Sequence, residues 1–343
     1  MMRFAPALLL LAAACGHSEP FGSVPTVSDG PFSAAAPVRL TYNSLTDSAT
    51  SLTEDGNGLL YLYTGGANGD RCVGLLPPGG GTQRWNLCDT RTDRADSIKS
   101  FSAPALGTDG RLLYQEALSR RGRTAPEATV LWLADSATPF TRRALVTLPT
   151  NINGRGISWF TEAAWTGPDQ FIARTGWLTY EVTCTGCTTD TMLTDIGLMR
   201  GTITPTGVTL ATIPGTPGIS RYALAENGAT LIMTRTSNTL ERLPIAGGTS
   251  TAVATLPRAG TISGVSCRGS DCVVTQQVPQ QLPGVGLDTW FYRVSLTTNT
   301  VTSLRLETGV WTGPVLLPTG GDVVVQFSSA GAKDLFLFKG LLP

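Results

Sequence analysis

The chain has 343 residues, and 25 Lys and Arg stand against 25 Asp and Glu, so its formal net charge is zero. Nucleic acids and anionic membrane surfaces recruit clustered Lys and Arg, so this balance argues against both as partners. Only 15% of residues are charged, while 39 Gly and 22 Pro suit many short strands joined by tight turns.

In chain order, Met1-Met2-Arg3 gives a short positive start and Phe4 to Ala14 an unbroken apolar run of eleven residues. A bilayer crossing needs roughly 20, and no later stretch of the sequence qualifies. The run ends in Leu11-Ala12-Ala13-Ala14-Cys15, which resembles the bacterial lipobox; a plain secretory signal with a chance cysteine is the alternative. The resemblance implies a signal peptide over 1–14 and a Cys15 that carries the lipid after cleavage, making the bilayer a partner through the acylated terminus. Gly16, where Asp would retain the protein at the inner membrane, implies sorting to the outer membrane, facing the periplasm. Residues 15–35 then read as the lipidated cysteine and a flexible tether, since Gly, Ser, Pro, Glu and Ala follow without apolar periodicity.

From 36 to 343 the periodicity is that of strands, and one pattern recurs six times. Its landmark is a turn before a hydrophobic strand: Asp55-Gly56 before Leu59, Asp109-Gly110 before Leu112, Pro168-Asp169 before Phe171. The series continues with Asn227-Gly228 before Leu231, Gly269-Ser270 before Val273, and Gly320-Gly321 before Val323. A third strand follows each landmark, as in Val73-Gly-Leu-Leu, Ile196-Gly-Leu-Met and Leu335-Phe-Leu-Phe. A fourth follows most of these, as in Val208-Thr-Leu-Ala-Thr-Ile. The sixth repeat lacks its fourth strand, and Pro37-Val-Arg-Leu-Thr-Tyr42 is a spare one ahead of the first repeat. The expectation is therefore an all-β, six-bladed β-propeller of four-stranded antiparallel blades over 36–343, its ring closed by the N-terminal strand. A β-sandwich or open solenoid is the alternative.

At these landmarks the chain resembles the TolB-like six-bladed propellers of the bacterial envelope. Pro104-Ala-Leu-Gly-Thr-Asp109-Gly110 and Ala164-Trp165-Thr-Gly-Pro168-Asp169 approach that family's first corner, and Leu131-Trp132 its third strand. The resemblance implies fold and compartment, and carries no partner-binding residue over.

Six cysteines remain besides Cys15, an even number suited to an oxidising compartment. Cys72 and Cys88 lie equidistant from Gly80 in the Pro77-Pro78-Gly79-Gly80-Gly81 turn, and Cys267 and Cys272 equidistant from Gly269-Ser270. A hairpin at each turn would oppose the two thiols within disulfide range. Cys184-Thr-Gly-Cys187 has redox or half-zinc spacing. No helix pattern follows it and two further zinc ligands are wanting, so a local disulfide is expected there too.

The only histidine, His17, lies outside the expected domain, which argues against imidazole-based catalysis. No catalytic residue, metal ligand or cofactor is therefore assigned. Asn43, Asn151, Asn153, Asp93 and Asp96 would be candidates for a calcium lactonase site, but loop and turn chemistry is the preferred reading of them. Trp132, Trp159 and Trp165 are expected to pack between blades. The segments Arg91–Lys99, Ser119–Thr129, Asn151–Ile157, Tyr180–Thr194 and Pro279–Asp288 read as long loops on one face. Asp93, Arg94, Asp96, Arg120, Arg121, Arg123, Asn153 and Arg155 are candidate ligand contacts there. The functional expectation is a membrane-anchored, non-catalytic binding or scaffolding propeller that engages an envelope protein or a cell-wall glycan. The alternative is a His-independent hydrolase or lyase acting on a carbohydrate or lactone.

Overall fold

The computed structural model describes residues 36–41, 46–53, 55–65, 69–89, 96–120, 126–148, 150–152, 155–157, 159–184, 187–235, 238–282, 286–329 and 332–342. Over 177–184 and 187–196, among others, it describes the backbone alone. Cys15, the leader and the tether lie outside these residues, as do Asp93, Arg94, Arg121, Arg123 and Asn153.

A short strand β1 (Val38–Arg39) precedes β2 (Asp47–Leu52), β3 (Leu59–Gly65), β4 (Asp70–Leu76) and β5 (Trp85–Leu87). A second set is β6 (Ser97–Leu106), β7 (Arg111–Arg120), β8 (Pro126–Asp135) and β9 (Thr138–Leu148), followed by the hairpin β10 (Thr150–Ile152) and β11 (Arg155–Ile157). The third is β12 (Trp159–Gly167), β13 (Gln170–Cys184), β14 (Cys187–Thr204) and β15 (Gly207–Thr212). The fourth is β16 (Arg221–Ala225), β17 (Thr230–Thr234), β18 (Thr239–Pro244) and β19 (Thr251–Thr255). The fifth is β20 (Thr261–Arg268), β21 (Asp271–Pro279), β22 (Leu287–Ser295) and β23 (Thr300–Thr308), and the last is β24 (Val310–Leu316), β25 (Val323–Ser329) and β26 (Ala332–Phe338).

Four of these sheets are separate and four-stranded; the first two sets join as one eight-stranded sheet through a single parallel pairing, Arg71 with Ser100. Counted by antiparallel runs, the described strands make six four-stranded sets, arranged as a β-propeller. Second strands are covered on both sides by neighbouring sheets, so they read as continuous apolar runs: every residue of β17, Thr-Leu-Ile-Met-Thr, is buried. Outer strands keep the period of two, as in β15. Glycines in the third strands accept aromatic rings from the strand opposite. Tyr61 lies over Gly74 and Phe171 over Gly201, where any Cβ would fall inside the ring.

The last set takes its fourth strand from the start of the domain. Val38 pairs with Leu337 and Arg39 with Phe336, and the Leu40 amide donates to the Leu335 carbonyl at 2.7 Å. Arg39 is ion-paired with the fully buried Asp334 at 3.0 Å, and Thr41 donates to the same carboxylate at 3.3 Å. Sets are fastened to one another elsewhere by single polar bonds. The Trp165 indole donates to the Ala105 carbonyl of the preceding set at 3.1 Å. Arg111 reaches forward to Asp169 at 2.8 Å and lies 5.3 Å from the Trp165 ring centre.

Two disulfides join the residues expected: Cys72 to Cys88 with Cα atoms 4.7 Å apart, and Cys267 to Cys272 at 4.0 Å. Cys184 and Cys187 stand opposite each other in the backbone register of β13 and β14. Their segment corrects the sequence reading, because Tyr180–Thr194 is a hairpin and not a loop; β13 and β14 run on to its tip. The described residues of Ser119–Thr129 and Asn151–Ile157 are likewise strand, through β7 with β8 and β10 with β11.

Arg305 and Glu307 face the same side of β23, fully buried and ion-paired to each other, with the Arg305 guanidinium 4.9 Å from the Phe338 ring of the next set. Burial, only partly offset by Arg305, pushes the Glu307 carboxyl up to about 7. A carboxyl raised in the folded state contributes stability that is full below its unfolded value and lost as pH climbs through its folded one. The wild-type Tm should therefore fall relative to Glu307→Gln between about pH 4.5 and about pH 7. Parallel Tm curves across that window would contradict it. At the closing strand, Asp334→Ala leaves Arg39 without its buried partner and should cost about 3–5 kcal/mol in denaturant unfolding; a loss below about 1 kcal/mol would place closure elsewhere.

Candidate functional site

The innermost strand of every set, β2, β6, β12, β16, β20 and β24, contributes to the wall of one axial cavity of about 710 Å³. A regular strand would present alternate residues to that space. In five of the six, one extra residue breaks the ladder: between Ala49 and Ser51, Ser102 and Ala105, Thr161 and Ala164, Ile262 and Gly264, and Thr312 and Val315. Such bulges re-aim backbone and side chains. In three of them the residue after the hydroxyl is left-handed, with φ of 48° at Ala103, 49° at Glu162 and 58° at Gly313. The wall is consequently one of small hydroxyl, alanine and proline groups, including Ser51, Ser102, Pro104, Thr161, Ser266 and Thr312.

Charge enters at few points. Arg71, at the start of β4, and Arg268, at the end of β20, both line the cavity and are exposed. The two cations stand near opposite faces of the ring, since β4 begins at the face of the β3–β4 and β13–β14 connections, whereas β20 ends at the face of the short landmark turns such as Gly269-Ser270. Arg221 is committed to the wall: its guanidinium donates to the Ser263 carbonyl at 3.0 Å and the Ser220 carbonyl at 2.8 Å, tying the fourth set to the fifth.

Glu162 is exposed to the cavity, and the Tyr222 hydroxyl of the next inner strand donates to its backbone carbonyl. Burial and the Glu162 charge push the Tyr222 phenol well above its ordinary value, so it remains a donor. Asp55 lies in the turn after β2, where the Thr53 hydroxyl at 2.5 Å and the Asn57 amide at 2.9 Å hold its carboxyl below the ordinary value. The two lining carboxylates are thus in different situations, one in the middle of a strand and one fixed ionised in a rim turn. Among the described residues no three His, Cys, Asp or Glu side chains gather as a metal site. What the cavity offers is cationic ends, a hydroxyl-rich wall and one internal carboxylate.

The residues singled out from sequence lie elsewhere or outside the described part. Asp96 and Arg120 are exposed at the β6–β7 edge, next to the Ser97–Arg120 pair, and neither lines the cavity. Arg155 is in β11, where only the backbone is described. The cavity residues were missed because Ser, Thr and Ala in a strand carry no chemical signature. A signal does exist in the recurrence of Ser102-Ala-Pro, Thr161-Glu-Ala and Thr312-Gly-Pro, each a few residues ahead of a landmark turn.

No protein-family model matches this sequence, and no curated protein matches it. Solved structures do match in fold. A gluconolactonase from Xanthomonas campestris superposes with a TM-score of 0.55 at 13% identity, covering 92% of this chain and 94% of its own. An oligogalacturonate lyase from Vibrio parahaemolyticus gives 0.50 at 12%, over 92% and 97%. The WD40 repeats of RRP9 give 0.50 at 10%, over 91% and 99%. Enzymes and a repeat domain match alike, so what these similarities establish is the fold: the chain is a β-propeller.

Proposed function

We propose that the chain is an exported, lipid-anchored binding propeller of the bacterial envelope that holds an anionic, hydroxyl-bearing ligand in its axial cavity. The observation that carries this reading is the pair Arg71 and Arg268, exposed on the cavity wall with no hydrogen-bond or ion-pair partner among the described residues. A guanidinium held open on the end of a strand is ready for forked contact with a carboxylate or phosphate. Serine and threonine hydroxyls between the two cations supply further donors and acceptors. A carboxylated cell-wall glycan suits this chemistry, and the paired cysteines suit the periplasm. Lipidation at Cys15 and the outer-membrane address rest on the sequence pattern alone.

A second reading, a His-independent lyase or hydrolase for a carbohydrate or lactone, draws on Glu162, a carboxylate in a costly backbone conformation inside the cavity. The gluconolactonase and lyase matches lend it a compatible scaffold only.

Titration calorimetry with carboxylated oligosaccharides, against the same oligosaccharides with the carboxyls reduced, separates the readings. Each of Arg71→Ala and Arg268→Ala should weaken binding of the acidic series by about 10-fold or more, as expected for one charge-assisted contact. Equal binding by the double variant would remove the cavity from consideration. Turnover that vanishes in Glu162→Gln while binding persists would favour the enzyme.

A further inference from the structure

The direction of the closing strand fixes the face at which the chain enters the ring. β26 runs from the β25–β26 hairpin, where Ser329 pairs with Ala332, toward the face of the short landmark turns. At that face the Gly340 amide donates to Asp322 at 2.7 Å and the Leu342 amide to the Gly321 carbonyl at 3.0 Å. β1 is antiparallel to β26, and Val38 sits opposite Leu337, near this same end. The chain therefore enters the ring at the short-turn face, on the outer rim of the last set, and crosses to the opposite face by Thr46, which bridges Lys333.

The third set lies across a six-membered ring from the last. Its β13–β14 hairpin leaves the sheet on the opposite face, with pairing that continues from Gly176 and Asp195 to Cys184 and Cys187. Eight residues of strand at about 3.3 Å each carry that tip about 25 Å beyond the sheet. The point of entry and the tip of the arm are thus separated both across the ring and through it.

We propose that the lipid anchor holds the ring by the short-turn rim of its last set, so that the opposite face and the β13–β14 arm are directed away from the bilayer. The proposal rests on the reading of Cys15 as the lipidated residue. A linker as long as residues 16–36 would span about 25 Å root-mean-square. That is short enough for the rim, and not the arm, to be the part nearest the lipid. The mouth of the axial cavity beside Arg71 then opens to the compartment, and the mouth beside Arg268 faces the membrane.

The test uses the full lipidated protein reconstituted in phosphatidylethanolamine and phosphatidylglycerol vesicles containing an acceptor-labelled lipid. A fluorescent non-natural amino acid is placed singly at Thr319 on the short-turn rim, at Gln280 on the opposite face, or at Thr189 in the arm. Energy transfer should decrease in the order Thr319, Gln280, Thr189, and Cys15→Ser should release the protein from the vesicles. Vesicle-bound protein with equal or inverted transfer would overturn the orientation while leaving the anchor intact. Wild-type protein that fails to float with vesicles would overturn the anchor reading, and this proposal with it.

Discussion

Everything in this molecule depends on closing a ring whose last sheet supplies only three of its four strands. Without Val38 and Arg39 on β26, the backbone of Leu335 to Leu337 would be an open edge next to an apolar cluster that holds Leu40, Leu317, Leu335 and Leu337. The closure is small, two paired residues and one further amide, so it is reinforced by charge. Asp334 is fully buried and takes both Arg39 and Thr41, while the Thr41 hydroxyl accepts the Leu335 amide at 3.0 Å. A buried carboxylate is costly unless it is paired, so losing either of these donors would be expensive.

The same device recurs where third strands begin. Asp70 accepts the Lys99 amide at 2.7 Å, linking the first set to the incoming strand of the second, and Asp288 accepts the amides of Gln281 and Leu282 at 2.5 and 2.6 Å. The first of these amides is on the inner strand of the next set and the other two are in the β21–β22 connection, and in each case a carboxylate supplies the acceptor. Between the first two sets, Lys99 bridges Asp89 at 2.9 Å and Glu116 at 3.2 Å, and Arg142 closes the group on Glu116. A protein with 15% charged residues has thus placed many of them as internal fasteners.

What the sequence disclosed well was whatever obeys local rules. Turn residues such as Asn227-Gly228, whose φ values of 56° and 84° suit Asn and Gly, located the corners. The symmetry of Cys72 and Cys88 about Gly80 located a disulfide, and the spare strand at Pro37 located the closure. The β13–β14 arm was read as a loop because Cys184-Thr-Gly-Cys187 and the surrounding threonines look like a turn, although Leu178, Tyr180 and Val182 alternate as in a strand. Backbone pairing with a high content of β-branched Thr is enough to carry the hairpin past the other strands of its sheet. The cavity was illegible for a different reason. Its wall is made by bulges, which depend on register with a partner strand and are invisible in one strand alone.

Glu162 is one place where local rules and the fold disagree. At the equivalent left-handed bulge positions the other strands carry Ala103 and Gly313, of which only the glycine escapes the steric cost of a Cβ. A glutamate with φ of 49° costs about 1 kcal/mol or more against glycine, and its side chain does not enter the core in return. Instead it is left exposed in the cavity, with its carbonyl held by Tyr222 from the neighbouring strand. The Tyr222 bond fixes the backbone at that point. A conformation that is unfavourable locally and gains nothing in packing is stable only because the surrounding ring enforces it. The cavity wall thus carries the Glu162 acid together with two exposed arginines, Arg71 and Arg268, so charge of both signs stands among its hydroxyl groups. A mixed lining of this kind favours a ligand that offers both an acidic group and hydroxyls over one that is anionic throughout.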